Sequence, residues 1–279
     1  MERESKFSIF NLLVLIILGT MAFSLATSAQ EKDDLLKIYF FDIGQGDSIF
    51  IETPNGNQIL VDGGPDYTVV SKLSEVMPFF DKEIEAIVLS HPHADHMVGL
   101  VEVLKRYRVK NIITTSALYN SGEYKSWIES VQNEEANIID SQASQYTDLG
   151  NGVRLETIFP ITSANNSETS HPHEYMVAQK LIYGNFEMLL TGDLEEKGER
   201  IMIANGINLE ADVLKVGHHG SKTSTSEELL HASTPQLAIM SLGARNRYGH
   251  PHASVIDRLE TFGIQYYRTD MDGDIKIVT

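Results

Sequence analysis

The sequence predicts a mixed α/β sandwich with helices on its outer faces. Two observations predict it: β-branched and aromatic runs crowd together early as hairpins, and strands then alternate with amphipathic helical segments. Lys37–Phe41, Ser48–Ile51 and Gln58–Asp62 have strand character, the last two joined by a turn at Pro54-Asn55-Gly56-Asn57. Tyr67–Phe80 reads as a helix. Ile84–Ser90 (IEAIVLS) is a short apolar run, hence a buried strand, and Val98, Val101 and Leu104 recur at helical spacing within a helix over Met97–Arg106. Strands follow at Asn111–Thr115, Val153–Phe159, Met176–Tyr183 and Phe186–Thr191, with Gly184-Asn185 turning the last pair. The remainder alternates: helix Leu194–Asn205, strand Val213–Val216, helix Ser226–Ala232, strand Leu237–Ser241, helix Ser254–Phe262 and a terminal hairpin around Asp272-Gly273.

Composition bounds the function. The 279 residues are 42% apolar and 22% charged with no cysteine, which sets aside disordered, collagenous and disulfide-stapled classes. Acidic residues outnumber basic ones 39 to 22, and a net charge of −17 repels polyanions, so a DNA-coating role is excluded. A phosphate-bearing substrate must then be held by local features or metal ions. Lacking thiolates, the chain must bind any metal through nitrogen and oxygen. Residues 1–29 differ from the rest: Arg3 and Lys6 precede an apolar run from Ile9 to Leu25, then small residues up to Ala29 and the charged Glu31-Lys32-Asp33-Asp34. That pattern is an export signal or a membrane anchor, with cleavage after Ala29 expected. Either option makes the remainder extracytoplasmic, secreted or anchored, and limits membrane contact to an uncleaved N-terminal segment. No repeat or linker interrupts residues 35–279, which are expected to form one domain; no protein partner is inferred.

Chemistry-bearing residues cluster where strands end. After IEAIVLS comes His91-Pro92-His93-Ala94-Asp95-His96; His91 and His93, two apart, project to one side and can grip one ion, while Asp95 and His96 serve a neighbouring position. Asp62, ending QILVD, has a carboxylate able to orient a ligand histidine. Asp193, in LLTGD, could bridge two cations. His218-His219 follow DVLKV; in an extended segment they point to opposite faces, so only one should ligate. His250 follows the strand LAIMSL in the same manner.

These residues carry a family resemblance. Asp62, HxHxDH, Asp193 and the histidine pair resemble the metallo-β-lactamase superfamily, which implies a four-layer αββα sandwich binding two metals at one edge. FFDIGQGDSIFIETPNGNQILVDGG, LTGDLE, ADVLKVGHHGSKTSTS and RNRYGHPHASVIDRLE are similar, more narrowly, to the hydrolase domain of the ComEC competence family. Unlike full ComEC proteins, the chain carries no multi-helix channel, so it reads as a stand-alone exported form. His173, in His171-Pro172-His173, is left open as a further ligand. Two divalent ions, Zn²⁺ or Mn²⁺, are expected: His91 and His93 on one, Asp95, His96 and by preference His218 on the other, with Asp193 between. Lys215, Lys222, Arg245 and Arg247 form a basic island that favours an anionic substrate. Ser221, Lys222, Asn246, Arg247 and His250 are the candidates for its oxygens, and His219 or His250 for proton donor. A phosphodiesterase or nuclease, with DNA among its substrates, is the leading expectation. Hydrolysis of a lactone, thioester or β-lactam is the alternative, and a non-catalytic surface module is third.

Overall fold

Strand alternation sorts the apolar side chains into layers. In the computed structural model, which describes residues 35–279, strands β1 (Lys37–Phe40), β2 (Ile49–Glu52) and β3 (Gln58–Val61) form an antiparallel meander. Their Ile38, Phe40, Ile49, Ile51, Ile59 and Val61 face one way, and Phe50 and Leu60 the other. Parallel β4 (Glu83–Val88), β5 (Arg108–Thr114) and β6 (Asn137–Asp140) extend this sheet on one side and β14 (Ile275–Val278) on the other. A second sheet runs β13 (Gln265–Arg268), β12 (Leu237–Met240), β11 (Val213–Lys215), β10 (Phe186–Leu190), β9 (Ala178–Tyr183), β8 (Val153–Phe159), β7 (Tyr146–Gly150).

The first set of side chains meets Leu155, Leu181, Met188, Leu190 and Val213 of the second sheet in the central core. Phe50, Leu60 and Ile87 lie under α1 (Thr68–Val76), α2 (Ala94–Leu104) and α3 (Gly122–Asn133), which contribute Leu73, Leu100 and Trp127. On the far side Leu189, Leu214 and Met240 lie under α4 (Glu196–Ala204), α5 (Glu227–Ser233) and α6 (Ala253–Thr261). The order of layers is αββα, as the resemblance implied. Burying one such side chain contributes about 1.5–3 kcal/mol, so both helix layers are held chiefly by these faces.

The structure departs from the sequence expectations in several places. α1 ends at Val76, short of Phe80, because Pro78 forces Met77 into extended backbone. α2 begins at Ala94, which puts Asp95 and His96 on its first turn. α3, β6 and β7 were not expected; α3 opens on a Ser121 hydroxyl that accepts the Tyr124 N–H, and it buries Tyr124, Trp127 and Val131. The terminal hairpin does not exist. β13 pairs with β12 and β14 with β1, so Asp272-Gly273, at the end of the short helix α7 (Thr269–Asp272), links two sheets. The export segment expected at residues 1–29 lies outside the described residues. Among the described residues no helix is long and apolar enough to cross a membrane.

Strand direction positions the site. β3 and β4 run parallel, as do β10, β11 and β12, so the loops leaving their C-terminal ends gather along one edge of the sandwich. Asp62, His91, Asp193, the histidine pair and His250 all follow those ends.

Candidate metal centre

The first sheet supplies a set of oriented imidazoles. Asp62, in left-handed backbone (φ 58°) just past β3, accepts the Ser90 N–H at 2.8 Å, the Ser90 hydroxyl at 2.6 Å and His96 Nδ1–H at 2.8 Å. Since Ser90 Oγ gives its proton to Asp62, it accepts one from His91 Nδ1 at 3.0 Å. One carboxylate therefore fixes two histidines, each with its Nε2 turned inward. His93 Nδ1 lies 2.9 Å from His91 Nε2. α2 reaches this position because glycines meet: a Cβ on Gly99 would stand 1.8 Å from the Gly63 carbonyl oxygen. Gly99→Ala is expected to cost about 1–3 kcal/mol by displacing α2, read as a lower denaturant midpoint; an unchanged midpoint would show that the contact yields freely.

The second sheet supplies the centre. Asp193 Oδ1 lies 3.3 Å from both His96 Nε2 and His219 Nε2, and Oδ2 lies 3.7 Å from His91 Nε2 and 3.6 Å from His218 Nε2. His173, on the Pro172–Glu174 turn, brings its ring within 5.1 Å of the His91 and His93 rings. The donor atoms of His91, His93, His173 and Asp193 lie within 4.8 Å of one another, as do those of Asp95, His96 and His219. His96 Nε2, His173 Nε2, His219 Nε2 and Asp193 Oδ1 are buried without a hydrogen-bond partner. Orphaned donors and acceptors cost about 1–3 kcal/mol each, and four of them within these adjoining groups fit a divalent metal site built from imidazole and carboxylate.

The electrostatics agree. Burial holds the His91 ring well below its usual pKa, and burial together with His173 pushes His93 down to about 4. Burial would also keep His96 neutral, but the Asp193 and Asp62 carboxylates outweigh it and hold its pKa well above the ordinary value. His219, likewise opposed by burial, is pushed up to about 9 by Asp193 and Asp47. Burial alone would raise Asp193; His219 and His96 hold it well below the carboxylate range. A metal ion held by these two rings would require both to be neutral, so its binding would release protons.

The histidine pair departs from expectation. Neither residue is extended: both sit in the Gly217–Gly220 turn with φ of 47° and 54°, so both stay near the cluster. His219 turns inward, its Nδ1–H donating to the Ser241 carbonyl at 2.8 Å and its Nε2 lying 3.5 Å from Asp95 Oδ2. His218 stays at the rim, 3.3 Å from Glu195. The residue beside Asp95 and His96 is thus His219 rather than His218, and its role as a free proton donor falls away.

Other candidates sort by what they touch. Asn246 is fully engaged by its own loop, donating to the Gly243 and His250 carbonyls and accepting the His250 N–H, so it organises that loop instead of meeting substrate. Ser221 is buried, its hydroxyl 3.0 Å from Thr223 Oγ1. Lys222 and Arg247 are exposed, Arg247 lying over the Tyr248 ring. His250 is half-buried beside His218 and His219, and burial together with those neighbours pushes its pKa down to about 4.

Lys215 leaves the basic island: it is fully buried, paired with Asp47 at 2.5 Å and donating to the Gly192 carbonyl. Asp47 was missed. Burial opposes its charge, yet Lys215 and His219 hold its pKa far below the usual range, and the GQGDS turn after β1 was the signal for it. Glu195 was missed too; it accepts the Thr223 hydroxyl at 2.8 Å and faces His173 and His218.

The family model of the metallo-β-lactamase superfamily matches residues 41–244, the stretch that carries both donor groups. The chain belongs to that superfamily. It is similar to ComE operon protein 3 of Bacillus subtilis (strain 168), 30% identical over 258 residues that cover 86% of this chain and 32% of that protein. Recombination protein 2 of Haemophilus influenzae is 30% identical over 261 residues, 92% of this chain and 30% of its own. Competence protein ComA of Neisseria gonorrhoeae is 30% identical over 268 residues, 94% and 35%. The resemblance to the ComEC family is borne out, and the chain spans about a third of the length of the curated relatives it matches. Among solved structures, CmlA of Streptomyces venezuelae, a diiron β-hydroxylase, superposes with a TM-score of 0.54 at 12% identity over 89% of this chain and 54% of its own. Zn²⁺-bound PqqB of Methylobacterium extorquens does so with a TM-score of 0.51 at 12% identity, over 84% and 87%. These likenesses show the fold. Membership of the superfamily, with these donors, makes the chain a metal-dependent hydrolase with a divalent metal site.

Proposed function

We propose that this chain is an exported, dinuclear metal-dependent phosphodiesterase of nuclease type. The observation that carries the reading is the pair of donor groups that meet at Asp193. His91, His93 and His173 would hold one ion, Asp95, His96 and His219 the other, and Asp193 both. Bound Zn²⁺ or Mn²⁺ would supply Lewis acidity, lowering the pKa of water toward about 7 and stabilising charge on phosphoryl oxygens. The chain itself does the positioning. Asp62 and Ser90 set the ligand rings, while Lys222, Arg245 and Arg247 offer charge to an anion at the exposed rim. His250, on a loop beside His218 and His219, is the residue for the leaving oxygen. A phosphodiester substrate is supported by the relatives, whose names record competence and recombination, and by the exposed cations in a protein of net charge −17.

The purified chain, loaded with Mn²⁺ or Zn²⁺, is tested against DNA, bis-p-nitrophenyl phosphate, a lactone and a β-lactam. Hydrolysis of the phosphodiesters, abolished by chelation, is expected; faster turnover of the lactone or β-lactam would move the assignment to carbonyl chemistry. His250→Ala is expected to lower kcat less than about tenfold for an ester with a sugar-hydroxyl leaving group, because a ring with a pKa of about 4 is neutral near pH 7 and offers the leaving oxygen a hydrogen bond without a proton. A loss of about 10²-fold or more confined to the sugar-hydroxyl ester would show instead that His250 donates the proton. Export predicts a mature N-terminus at Gln30, and N-terminal sequencing that found Met1 on cytoplasmic protein would refute it.

A further inference from the structure

Both donor groups draw ligands from the two sheets, so their geometry depends on how the sheets are held at this edge. His91, His93, Asp95 and His96 follow β4 of the first sheet, whereas Asp193 and His219 follow β10 and β11 of the second. One run of contacts joins the halves. The Asp47 N–H donates to the Asp95 carbonyl at 3.3 Å, and the backbones come this close because residue 46 is glycine: a Cβ there would stand 2.1 Å from that oxygen. Lys215 lies on the face of β11 that Val213 turns to the central core, between the sheets. It pairs with the Asp47 carboxylate at 2.5 Å and donates to the Gly192 carbonyl at 3.1 Å, one residue from Asp193.

The pair also stands behind two of the ligand rings. Asp47 Oδ1 lies 3.5 Å from His219 Nδ1 and Oδ2 lies 3.8 Å from His96 Nδ1, while the Nε2 atoms of both rings face Asp193. With Lys215 on its carboxylate and the Nδ1 sides of the rings turned to it, Asp47 stands outside the ligand set. His91 and His93 take their orientation from Ser90 and from each other.

Stability alone does not account for such a pair, since packed apolar side chains can replace a buried ion pair without loss. What they cannot reproduce is a set of directed contacts that tie a carboxylate, a carbonyl and two rings from opposite sheets. We infer that Asp47 and Lys215 are positioning residues for the metal centre, which hold Asp95, His96 and His219 in register with Asp193. Their charges cancel, so the pair acts through geometry. The inference rests on the two-group reading of the metal centre.

The test uses the full chain, freed of metal by chelation and titrated with Mn²⁺, with bound ions counted from the electron paramagnetic resonance signal of the free ion and Tm recorded on the same samples. The double variant Asp47→Leu, Lys215→Met separates the roles, because it keeps the core filled and removes the directed contacts. It is expected to keep most of its Tm, to bind one Mn²⁺ as the unaltered chain does, and to hold the second about 10- to 100-fold more weakly, the size of effect expected when a group that orients a ligand is lost. Lys215→Met alone should show the same weakening together with a lower Tm. Two ions held by the double variant as tightly as by the unaltered chain would overturn the inference and leave the two-group reading intact. A double variant that loses Tm and both ions in parallel would reduce the pair to core packing and also overturn it. An unaltered chain that takes up one ion only would overturn the two-group reading and the inference with it.

Discussion

Asp193→Asn is expected to empty both donor groups together and to lower hydrolytic turnover more than about 100-fold. Loss of a group that merely orients a ligand already costs about 10- to 100-fold in metal affinity, and Asp193 faces four imidazoles itself. The substitution keeps the shape and removes the charge. His96 and His219 owe their raised pKa largely to that carboxylate, so both rings lose the partner that their Nε2 atoms face. His91→Ala is the contrast: it should weaken one ion and spare most of the other. Metal content of the two variants, measured by mass spectrometry after gel filtration, separates the cases. An Asp193→Asn protein with unchanged stoichiometry would remove the shared role.

The second large effect falls on stability. Lys215→Met is expected to destabilise the domain by about 3–5 kcal/mol, because it strands the Asp47 carboxylate in a site where both partners are 0–1% exposed. At about 2–4 °C per kcal/mol for a domain of this size, Tm should fall by about 6–20 °C. The double variant Asp47→Leu, Lys215→Met should recover much of the loss, since a packed apolar pair can replace a buried ion pair. Thermal denaturation of the three proteins decides it. A single variant with unchanged Tm would mean that Asp47 is held by His219 alone.

The contrast between Lys215 and His91 shows what was legible in the sequence and why. His91, His93, Asp95 and His96 stood out because they lie within six consecutive residues after an apolar strand, so local periodicity alone carried the inference. Most of the strands, the hairpin through Pro54-Asn55-Gly56-Asn57 and the outer placement of the helices followed from the same short-range patterns, whereas the αββα order came from the resemblance. Lys215 was misplaced because it was grouped with the loop cations although it lies within the expected strand Val213–Val216; its partners Asp47 and the Gly192 carbonyl, remote in sequence, account for its burial. The histidine pair was misassigned for a backbone reason. Alternation applies to extended chain, and His218 and His219 have positive φ, a conformation that Gly217 and Gly220 around them hinted at without deciding. The terminal hairpin failed because β14 exchanges its expected partner for β1, a pairing across the whole length of the domain. Asn246 had the right chemistry for substrate, but loop closure uses all of it.

The central claim is that two donor groups sharing Asp193 hold two ions. Anomalous diffraction from crystals of the Zn²⁺- or Mn²⁺-loaded chain tests it most directly. The account predicts two peaks of comparable height on either side of Asp193, one among His91, His93 and His173, the other among Asp95, His96 and His219. A single peak, or an ion held instead by His173, Glu195 and His218, would contradict it.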